Sequence, residues 1–421
     1  MQITKVNELP IDAKQNEIYE IQPDKSIIVC DTHRLFNKYP TRYIPQIPRW
    51  AISKYSNLGD FVLDPFCGSG TTLVEAILHG RSGVAIDIDP FARLLTKVKT
   101  AYYSEAVLAD IGYVIDQIRD KCRRVLPKYN PPDIPNIDKW FTKESIEGLS
   151  ALRNFIDELC EEKEVVKDYL YIVLAAIIRR CSNAENVSPK PYISTRFPKV
   201  VGNPTTAFFE IEELYRPAIE SYSRKIANMD CSNLILESND ARQIDLERPI
   251  TLAVTSPPYI NAYDYVRILK FENMWLGLAD NNELVEKRKQ YIGTENTKSF
   301  YGDFSLATQS ATLNSIVPNI ADIDEKRSRM VYTYFEDMVL NMLAVRKNLA
   351  TGGRYVIVVG DSTIRNQTIP TSKVLIEIAE KNGYHCDMSF KYVIRDRYLH
   401  IPRGDRGGII KYDEILVIRK I

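Results

Sequence analysis

The segment Asp64–Thr72, DPFCGSGTT, has the residue types of a ligand-binding turn. It follows a short apolar stretch and opens a helical pattern, so its glycines allow close backbone approach and its free amide groups face a ligand. A turn that only packs a strand on a helix is the alternative. No third glycine completes the spacing G-x-G-x-x-G, which disfavours a dinucleotide oxidoreductase and predicts a ligand group other than a pyrophosphate.

Acidic residues follow the next two strand patterns. Asp87 ends the stretch GVAIDID, at the distance where α/β nucleotide sites place an acid that accepts hydrogen bonds from both ribose hydroxyls. Asp89 precedes Pro90 and is predicted to cap the following helix. Asp240 lies in SNDAR, where a carboxylate can accept a hydrogen bond from an adenine amino group. A purely structural role in a turn is the alternative for Asp240.

The motif TSPPY, Thr255–Tyr259, ends the strand pattern ITLAV, and its two prolines cannot continue a central strand. An ordinary strand-terminating turn is one interpretation. The other is catalytic: the lone pair of an exocyclic base amine is delocalised into the ring, so acceptors must draw the amine toward tetrahedral geometry before it attacks a methyl group. The Ser256 hydroxyl and the rigidly held Pro257 carbonyl can be those acceptors, and Tyr259 can stack on a base swung out of a duplex.

The pair DPFCGSGTT and TSPPY, with GVAIDID and SNDAR between them, resembles the amino-methyltransferase branch of the bacterial DNA modification enzymes. This restriction-modification group methylates cytosine N4 or adenine N6. The upstream segment THRLFNKYPTRYIPQIPRW is similar to the family's motif for the methionine side of the cofactor. The resemblance implies S-adenosyl-L-methionine as cofactor, double-stranded DNA as substrate and a cognate restriction endonuclease as partner.

The resemblance also implies a set of site residues. The residues expected to bind the cofactor are Tyr39, Asp64, Phe66, Gly68, Gly70, Thr71, Asp87 and Asp240. The residues expected to act in catalysis are Ser256, Pro257, Pro258 and Tyr259. Ser256 favours cytosine N4, since adenine enzymes more often have an acid or amide there. Cytosine C5 methylation is excluded because it needs a Pro-Cys pair, and none of the seven cysteines follows a proline.

The alternating strand and helix patterns around these motifs predict an α/β fold. The family resemblance implies that this fold is the Rossmann-like methyltransferase fold with a mostly parallel sheet. Residues 1–100 hold the N-terminal cofactor motif and the first part of the core. Residues 101–230 have long helical periods and are expected to be a mainly helical insertion that is a candidate DNA-recognition domain. Residues 231–421 complete the core, with a polar lid or recognition segment at about 280–330.

Basic residues interleaved with aromatic ones occur in two loops, a mixture suited to phosphate contact and stacking. A solvated surface is the alternative for each cluster. The residues predicted to bind DNA are Arg179, Arg180, Lys190, Arg196, Arg397 and Arg403.

Composition bounds the function without identifying it. Lys+Arg and Asp+Glu are 55 each, so net charge neither suggests nor excludes nucleic acid. The cysteines are scattered without a C-x-x-C pair, which argues against a zinc cluster or disulfide framework and favours a reducing cytoplasm; no bound metal is expected. The chain lacks an apolar run near the roughly 20 residues that span a bilayer, so no membrane association is predicted.

Other functions are compatible with the same predicted fold. An adenine-N6 DNA methyltransferase or an RNA base methyltransferase would use the same acceptor geometry. A catalytically idle nucleic-acid-binding protein is a further alternative, against which the intact motifs speak. The recognition sequence and the oligomeric state are not encoded in any recognisable pattern.

Overall fold

The computed structural model describes residues 2–22, 31–124, 129–186, 188–235, 240–260, 264–294, 304–394 and 411–421. Within them the strands are β1 Ile3–Val6, β2 Ile18–Ile21, β3 Phe61–Asp64, β4 Ser82–Ala85, β5 Asn233–Ile235, β6 Ile250–Thr255, β7 Leu349–Gly360, β8 Ser362–Ile364, β9 Gln367–Ile369, β10 Tyr384–Val393 and β11 Tyr412–Lys420.

The helices alternate with these strands along the chain. They are α1 Gln46–Tyr55, α2 Thr71–Leu78, α3 Pro90–Thr100, α4 Glu105–Cys122, α5 Ile137–Trp140, α6 Lys143–Leu159, α7 Glu164–Ile178, α8 Pro204–Ile226, α9 Tyr265–Ile268, α10 Lys270–Trp275, α11 Asn281–Gln290, α12 Ala311–Ala321, α13 Glu325–Asn348 and α14 Thr371–Lys381. Single 3-10 turns cover Asp31–Arg34 and Ala307–Gln309.

The main sheet has the order β1-β2-β10-β11-β7-β6-β3-β4-β5 in the described part of the chain. Every neighbouring pair is parallel except those of β11, which runs antiparallel to both β7 and β10. The predicted α/β class with a mostly parallel sheet is therefore confirmed. The chain reverses its direction of travel across the sheet between β3 and β6, and open α/β sheets bind ligands at the carboxyl ends of strands at such a point.

Both faces of the sheet are covered. On β6, the alternating side chains of Leu252 and Val254 join a cluster with Trp50 of α1, whereas Ala253 joins the cluster of α13 and α14 on the other face. Parallel strands that are buried on both faces need apolar side chains on both, and the sequences of these strands are accordingly almost entirely apolar. Helix packing on both sides thus holds the strand ends, and the loops that follow them, in fixed positions.

Helices α4 to α8 account for the regular structure of the described residues between 101 and 230, where the sequence predicts a helical insertion. Their buried side chains form one cluster with α3, α9 and α10. Helix α7 is the most apolar of them and is buried around most of its circumference, as expected for a central helix. The insertion therefore packs directly against the core and against the segment that follows TSPPY.

Two regions differ from the simplest expectation. Strands β1 and β2 extend the sheet beyond β10 although the N-terminal pattern was not assigned to the sheet. The polar segment 280–330 contains α11 and α12, and α12 packs Leu313, Val317 and Ile320 into the core. The described part of this segment is thus structured, and the residues that end α11 face the site below.

Candidate active site

A cleft of about 800 Å³, open in part to solvent, lies at the carboxyl ends of β3, β4 and β6. Its lining includes eight of the predicted site residues. They are Tyr39, Phe66, Gly68, Thr71, Asp87, Asp240, Ser256 and Pro258. The other four predicted cofactor-binding and catalytic residues, Asp64, Gly70, Pro257 and Tyr259, are not part of the lining. The cofactor motifs and the TSPPY motif therefore meet in one cavity.

Asp64 ties the two central strands together at this edge. Its carboxylate accepts hydrogen bonds from Thr72 Oγ1 at 2.5 Å, from Thr255 Oγ1 at 2.6 Å and from the Phe66 amide at 3.1 Å. Burial raises the pKa of Asp64 to about 6, and these three donors oppose the rise. The residue fixes the glycine turn relative to TSPPY, so its contacts are with protein groups.

The two glycines of the turn have different tasks. Both have positive φ, +48° at Gly68 and +77° at Gly70, where a side chain is strained. A Cβ on Gly70 would lie 3.1 Å from the Thr96 Cα atom, so Gly70 permits close packing of α3. A Cβ on Gly68 would lie 3.2 Å from the Tyr39 ring inside the cleft. Gly68 therefore permits the close approach of the Tyr39 ring at the cleft, whereas Gly70 permits the close approach of α3.

Asp87 faces the cleft two residues after β4. Its two carboxylate oxygens accept hydrogen bonds from the Gly68 amide at 2.8 Å and from the Asp89 amide at 2.9 Å. Burial is the main reason that the pKa of Asp87 is raised to about 7, with the Asp89 carboxylate raising it further. Each oxygen keeps a free lone pair, so Asp87 can still accept two hydroxyl donors.

Asp89 caps α3, as predicted, by accepting hydrogen bonds from the Phe91 and Ala92 amides. Its carboxylate also accepts from Asn273 Nδ2 at 3.2 Å and from the Tyr291 hydroxyl at 3.0 Å. These side chains come from α10 and from the end of α11. The cap therefore links the cofactor side of the cleft to the segment that follows TSPPY.

Asp240 also lines the cleft. Arg242 donates to both of its carboxylate oxygens at 2.9 Å, and the same guanidinium donates to Asp337 at 2.8 Å. This bidentate pairing fixes the plane of the Asp240 carboxylate. The carboxylate retains acceptor capacity toward an amino group in the cleft.

The TSPPY loop places Ser256 and Pro258 on the cleft, while Pro257 is buried. The Tyr259 hydroxyl donates to Asp413 Oδ1 of β11 at 2.7 Å. Burial and the neighbouring Asp413 carboxylate raise the pKa of Tyr259 well above its usual value, so the side chain is a neutral phenol. Its ring is thus held by a strand on the far side of β7.

Tyr39 and its neighbours line the cleft beside the glycine turn. Arg42 donates to the carbonyls of His33 and Asn37 at 2.9 Å, which gives this irregular segment a fixed shape. The Thr41 and Tyr265 hydroxyls hydrogen bond to each other at 2.5 Å. The segment therefore forms a preorganised wall and not an open loop.

Sequence reasoning missed several cleft residues on α9 and the end of α11. Tyr265 and Tyr291 stack with ring centroids 6.2 Å apart, and Gln290 and Ile292 line the cleft beside them. Neither tyrosine belongs to a recognisable motif, so no pattern in the sequence indicates that it lines a site. The polar segment 280–330 thus contributes to the site through its first helix.

The predicted DNA-binding arginines divide into different classes. Arg179 is only 7% exposed, and its guanidinium donates to the carbonyls of Glu185, Ser188, Pro189 and Ile268. Because its donors are used inside the protein, the predicted phosphate contact is corrected to a structural role. Arg180 is half-buried and pairs with Glu210 at 2.6 Å.

Lys190 and Arg196 are exposed on the loop between α7 and α8, and Arg196 lies over the ring of Phe197, which is 68% exposed. Arg397 and Arg403 lie outside the described residues, so their predicted DNA contacts are not described. Among the described side chains, no cluster of three or more His, Cys, Asp and Glu residues could hold a metal ion. No described helix is long and apolar enough to cross a membrane.

The cleft fits S-adenosyl-L-methionine. The glycine turn and the Tyr39 ring approach each other closely at its edge, where backbone rather than side chain meets a ligand. Asp87 and Asp240 offer acceptors in the cleft, and Phe66 and Ile88 contribute to the same lining. A ligand with a ribose, an aminopurine and a flexible tail matches this distribution of groups.

Comparison with known proteins agrees with this fit. Residues 8–97, which include the glycine turn and Asp87, match the N6/N4 methyltransferase family model described as DNA methylase. The chain is 26% identical over 382 residues to the Type II methyltransferase M.MvaI of Kocuria varians, covering 85% of this chain and 83% of that protein.

Two further relatives are also methyltransferases. The Type II methyltransferase M.BsoBI of Geobacillus stearothermophilus is 22% identical over 381 residues, which cover 77% of this chain and 73% of that protein. The Type II methyltransferase M.MjaII of Methanocaldococcus jannaschii is 42% identical over 133 residues, 28% of this chain and 23% of that protein. The chain is thus similar over most of its length to Type II methyltransferases and in residues 8–97 to the N6/N4 DNA methylase family, and its methyl donor is S-adenosyl-L-methionine.

Proposed function

We propose that the protein is a site-specific Type II DNA methyltransferase that methylates the exocyclic N4 amine of a cytosine flipped out of duplex DNA. One observation carries the proposal: Ser256 and Pro258 of TSPPY line the same cleft as Asp87 and Asp240. The methyl donor supplies an electrophilic methyl group, and the chain supplies the groups that place an amine in front of it.

The residues of the cleft have separate roles in this proposal. Asp87 would accept hydrogen bonds from the ribose hydroxyls of the cofactor, and Asp240 would accept one from the adenine amine. Tyr39, Phe66, Gly68 and Thr71 would enclose the remainder of the cofactor. Gly70 and Asp64 act through the fold, since Gly70 packs against Thr96 and Asp64 joins the turn to Thr255.

The target amine would be held by the TSPPY loop. The Ser256 hydroxyl and the Pro257 carbonyl accept its two hydrogens, which draws the nitrogen lone pair out of conjugation and directs it at the methyl group. The proline pair keeps the acceptors rigid, so little reorganisation is needed. Tyr259 would pack against the flipped base while its hydroxyl stays bound to Asp413.

DNA contact outside the cleft is assigned to the loop between α7 and α8. Lys190 and Arg196 offer free positive charge, and exposed Tyr192 and Phe197 offer stacking surfaces. A protein with this function works in the compartment that holds the DNA, and a cognate endonuclease would recognise the same site.

The base assignment is tested by product analysis. Purified protein is incubated with duplex DNA and a cofactor with an isotopically labelled methyl group, and the digested nucleosides are identified by mass spectrometry. We expect labelled N4-methylcytosine. Labelled N6-methyladenine would overturn the cytosine assignment, and labelled product only on RNA would overturn the DNA assignment.

A variant pair connects the product to the cleft. Ser256→Ala should lose most methyl transfer while binding the cofactor normally, because the serine acts on the amine. Ser315→Ala, on the exposed side of α12, is the matched control and should behave as the wild type. Equal activity of the two variants would remove Ser256 from the catalytic set.

A further inference from the structure

The loop between α7 and α8 exposes an aromatic ring next to positive charge. Phe197 is 68% exposed, and the Arg196 guanidinium lies over its ring, 5.3 Å from the centroid. Tyr192 and Val200 of the same loop are also exposed, as is the Lys190 side chain. Single exposed apolar residues are ordinary, but three of them on one short loop with two cations indicate a binding surface.

The backbone on both sides of Phe197 is held in place. The Phe197 amide donates to Ser194 Oγ at 3.0 Å, and the following residue, Pro198, restricts Phe197 to extended backbone. Lys199 Nζ then donates inward to the Arg179 carbonyl at 2.6 Å, to a second carbonyl at 2.8 Å and to an amide oxygen at 3.1 Å. A ring on a fixed backbone loses little conformational entropy when it is pressed against a partner.

The foot of this loop is fixed to a helix that lines the cleft. Arg179 Nη2 donates to the Pro189 carbonyl at 2.9 Å and to the Ile268 carbonyl of α9 at 3.4 Å. Tyr265, three residues earlier on α9, lines the cleft. Three residues of helix are about 4.5 Å long, whereas a major groove is about 12 Å wide, so DNA that delivers a base to the cleft also reaches the foot of the loop.

A base that leaves the duplex has a cost that the protein must offset. The flipped base loses its pairing and its stacking, which favours its return to the helix. Proteins that unstack DNA insert apolar side chains, phenylalanine among them, between neighbouring bases. The exposed Phe197 ring beside Arg196 and Lys190 suits this task, because the cations can hold the phosphates while the ring enters the stack.

We propose that Phe197 is a wedge that enters the base stack of duplex DNA beside the target base and keeps the flipped base out of the helix. Arg196 and Lys190 contact the flanking phosphates, and Lys199 and Arg179 position the wedge from inside the protein. This inference rests on the proposed function. It gives Phe197 a role in base flipping and none in the methyl transfer itself.

The wedge is tested with two short duplexes that carry the site methylated by the wild type. In one the target base is paired, and in the other it faces an abasic position, so that it flips at lower cost. Phe197→Ala should lower kcat/KM on the paired duplex by about 5- to 100-fold, the range expected for the loss of one ring–base stack. On the abasic duplex the loss should shrink to less than about threefold.

The chain offers matched controls for this experiment. Phe197→Leu keeps an apolar wedge and should retain most of the wild-type rate on both duplexes. Tyr113 of α4 is another exposed ring of the helical insertion, 59% exposed with Lys163 Nζ over it, and Tyr113→Ala should react as the wild type. Phe197→Ala should also retain the salt dependence of DNA binding, because it loses no phosphate contact.

A wild-type rate of Phe197→Ala on the paired duplex, or an equal loss on both duplexes, would overturn the wedge. If Phe197→Ala abolishes a wild-type dimer in sedimentation while its rate on the paired duplex is unchanged, a second copy of the chain covers the ring instead of DNA. Failure of the proposed function has a different result, because the wild-type protein itself would then methylate no cytosine in duplex DNA.

Discussion

Charged side chains are held in opposite ways at the carboxyl edge of the sheet and in the loop between α7 and α8. At the sheet edge, Asp64, Asp87 and Asp89 are each fixed by backbone or hydroxyl donors. In the loop, Arg179 is buried by carbonyls, whereas Arg196 remains exposed. A site for a constant cofactor benefits from preorganised acceptors, while a surface that meets a long polyanion needs charges that are free.

Substitutions of Arg179 and Arg196 are expected to have the largest effects that test this contrast. Arg179→Ala should lower the free energy of unfolding by about 3 kcal/mol, because it leaves several buried carbonyls without donors. Arg196→Ala should leave stability unchanged but weaken DNA binding and reduce the salt dependence by about one unit of slope. Thermal unfolding and binding titrations at several salt concentrations measure both effects.

The reverse pattern would contradict the structural assignment: a stable Arg179→Ala variant with a smaller salt slope would return Arg179 to the DNA surface. If Arg196 reads a base instead of a phosphate, its loss should relax site preference at one position by about 1–3 kcal/mol. Unaltered affinity, slope and preference after replacing Lys190 and Arg196 together would shift recognition to the segment 280–330.

A substitution of Asp87 tests whether the fixed acceptors at the sheet edge bind the cofactor. Asp87→Ala should weaken cofactor binding at least about tenfold, because two hydrogen bonds to an ionised group are lost. The pKa of Asp87 is raised to about 7, so the ionised form that accepts both hydroxyls predominates above pH 7. Wild-type affinity should therefore fall as the pH is lowered from 8 to 6.

Calorimetry at these pH values, with Asp87→Asn as the control, measures the effect. The asparagine variant should bind weakly with little change over this range. An affinity for the wild type that rises on acidification would show that another group controls cofactor binding.

The smallest effect concerns Glu272 of α10, which is 3% exposed and whose Oε2 atom has no hydrogen-bond partner among the described residues. Burial raises the pKa of Glu272 to about 7, while Arg179 and Lys38 lower it. A raised acid pKa means that wild-type stability falls as the pH rises from about 4.3 to 7. Glu272→Gln, which stays neutral, should be slightly more stable than the wild type at pH 8.

The stability difference should shrink at pH 5, where the wild-type carboxyl is protonated. Denaturant unfolding at both pH values tests this, with the exposed Glu161→Gln as control. A variant that is less stable than the wild type at pH 8 would mean that the ionised carboxylate is stabilised by its basic neighbours.

Local backbone chemistry explains what could be predicted from the sequence. The strand–turn–helix around Gly68 and Gly70 and the Asp89-Pro90 cap depend on residues close in the chain, and the structure has them where the pattern indicates. The apolar patterns after the insertion also predicted the strands β5, β6, β7, β10 and β11 that complete the sheet. These features are encoded by neighbours, so no tertiary information was needed.

Tertiary contacts explain what could not be predicted. Arg179 and Arg180 are adjacent and chemically identical, yet only the packing of α7 decides that one points inward. Tyr265 and Tyr291 reach the cleft through the arrangement of α9 and α11. Asp413 meets Tyr259 across the sheet, 154 positions away in the chain, so no local pattern could indicate it.

The hydrogen bond between Thr255 and Asp64 joins residues 191 positions apart, with α4 to α8 between them. During synthesis on the ribosome, the helices of the insertion emerge long before β6 and can form contacts that are local in sequence. Strand β3 must wait for β6, so one of its edges stays unpaired while more than a hundred residues are added. The growing chain thus presents an unpaired apolar strand edge of the kind that aggregates. Slower elongation lengthens the time during which this edge is exposed.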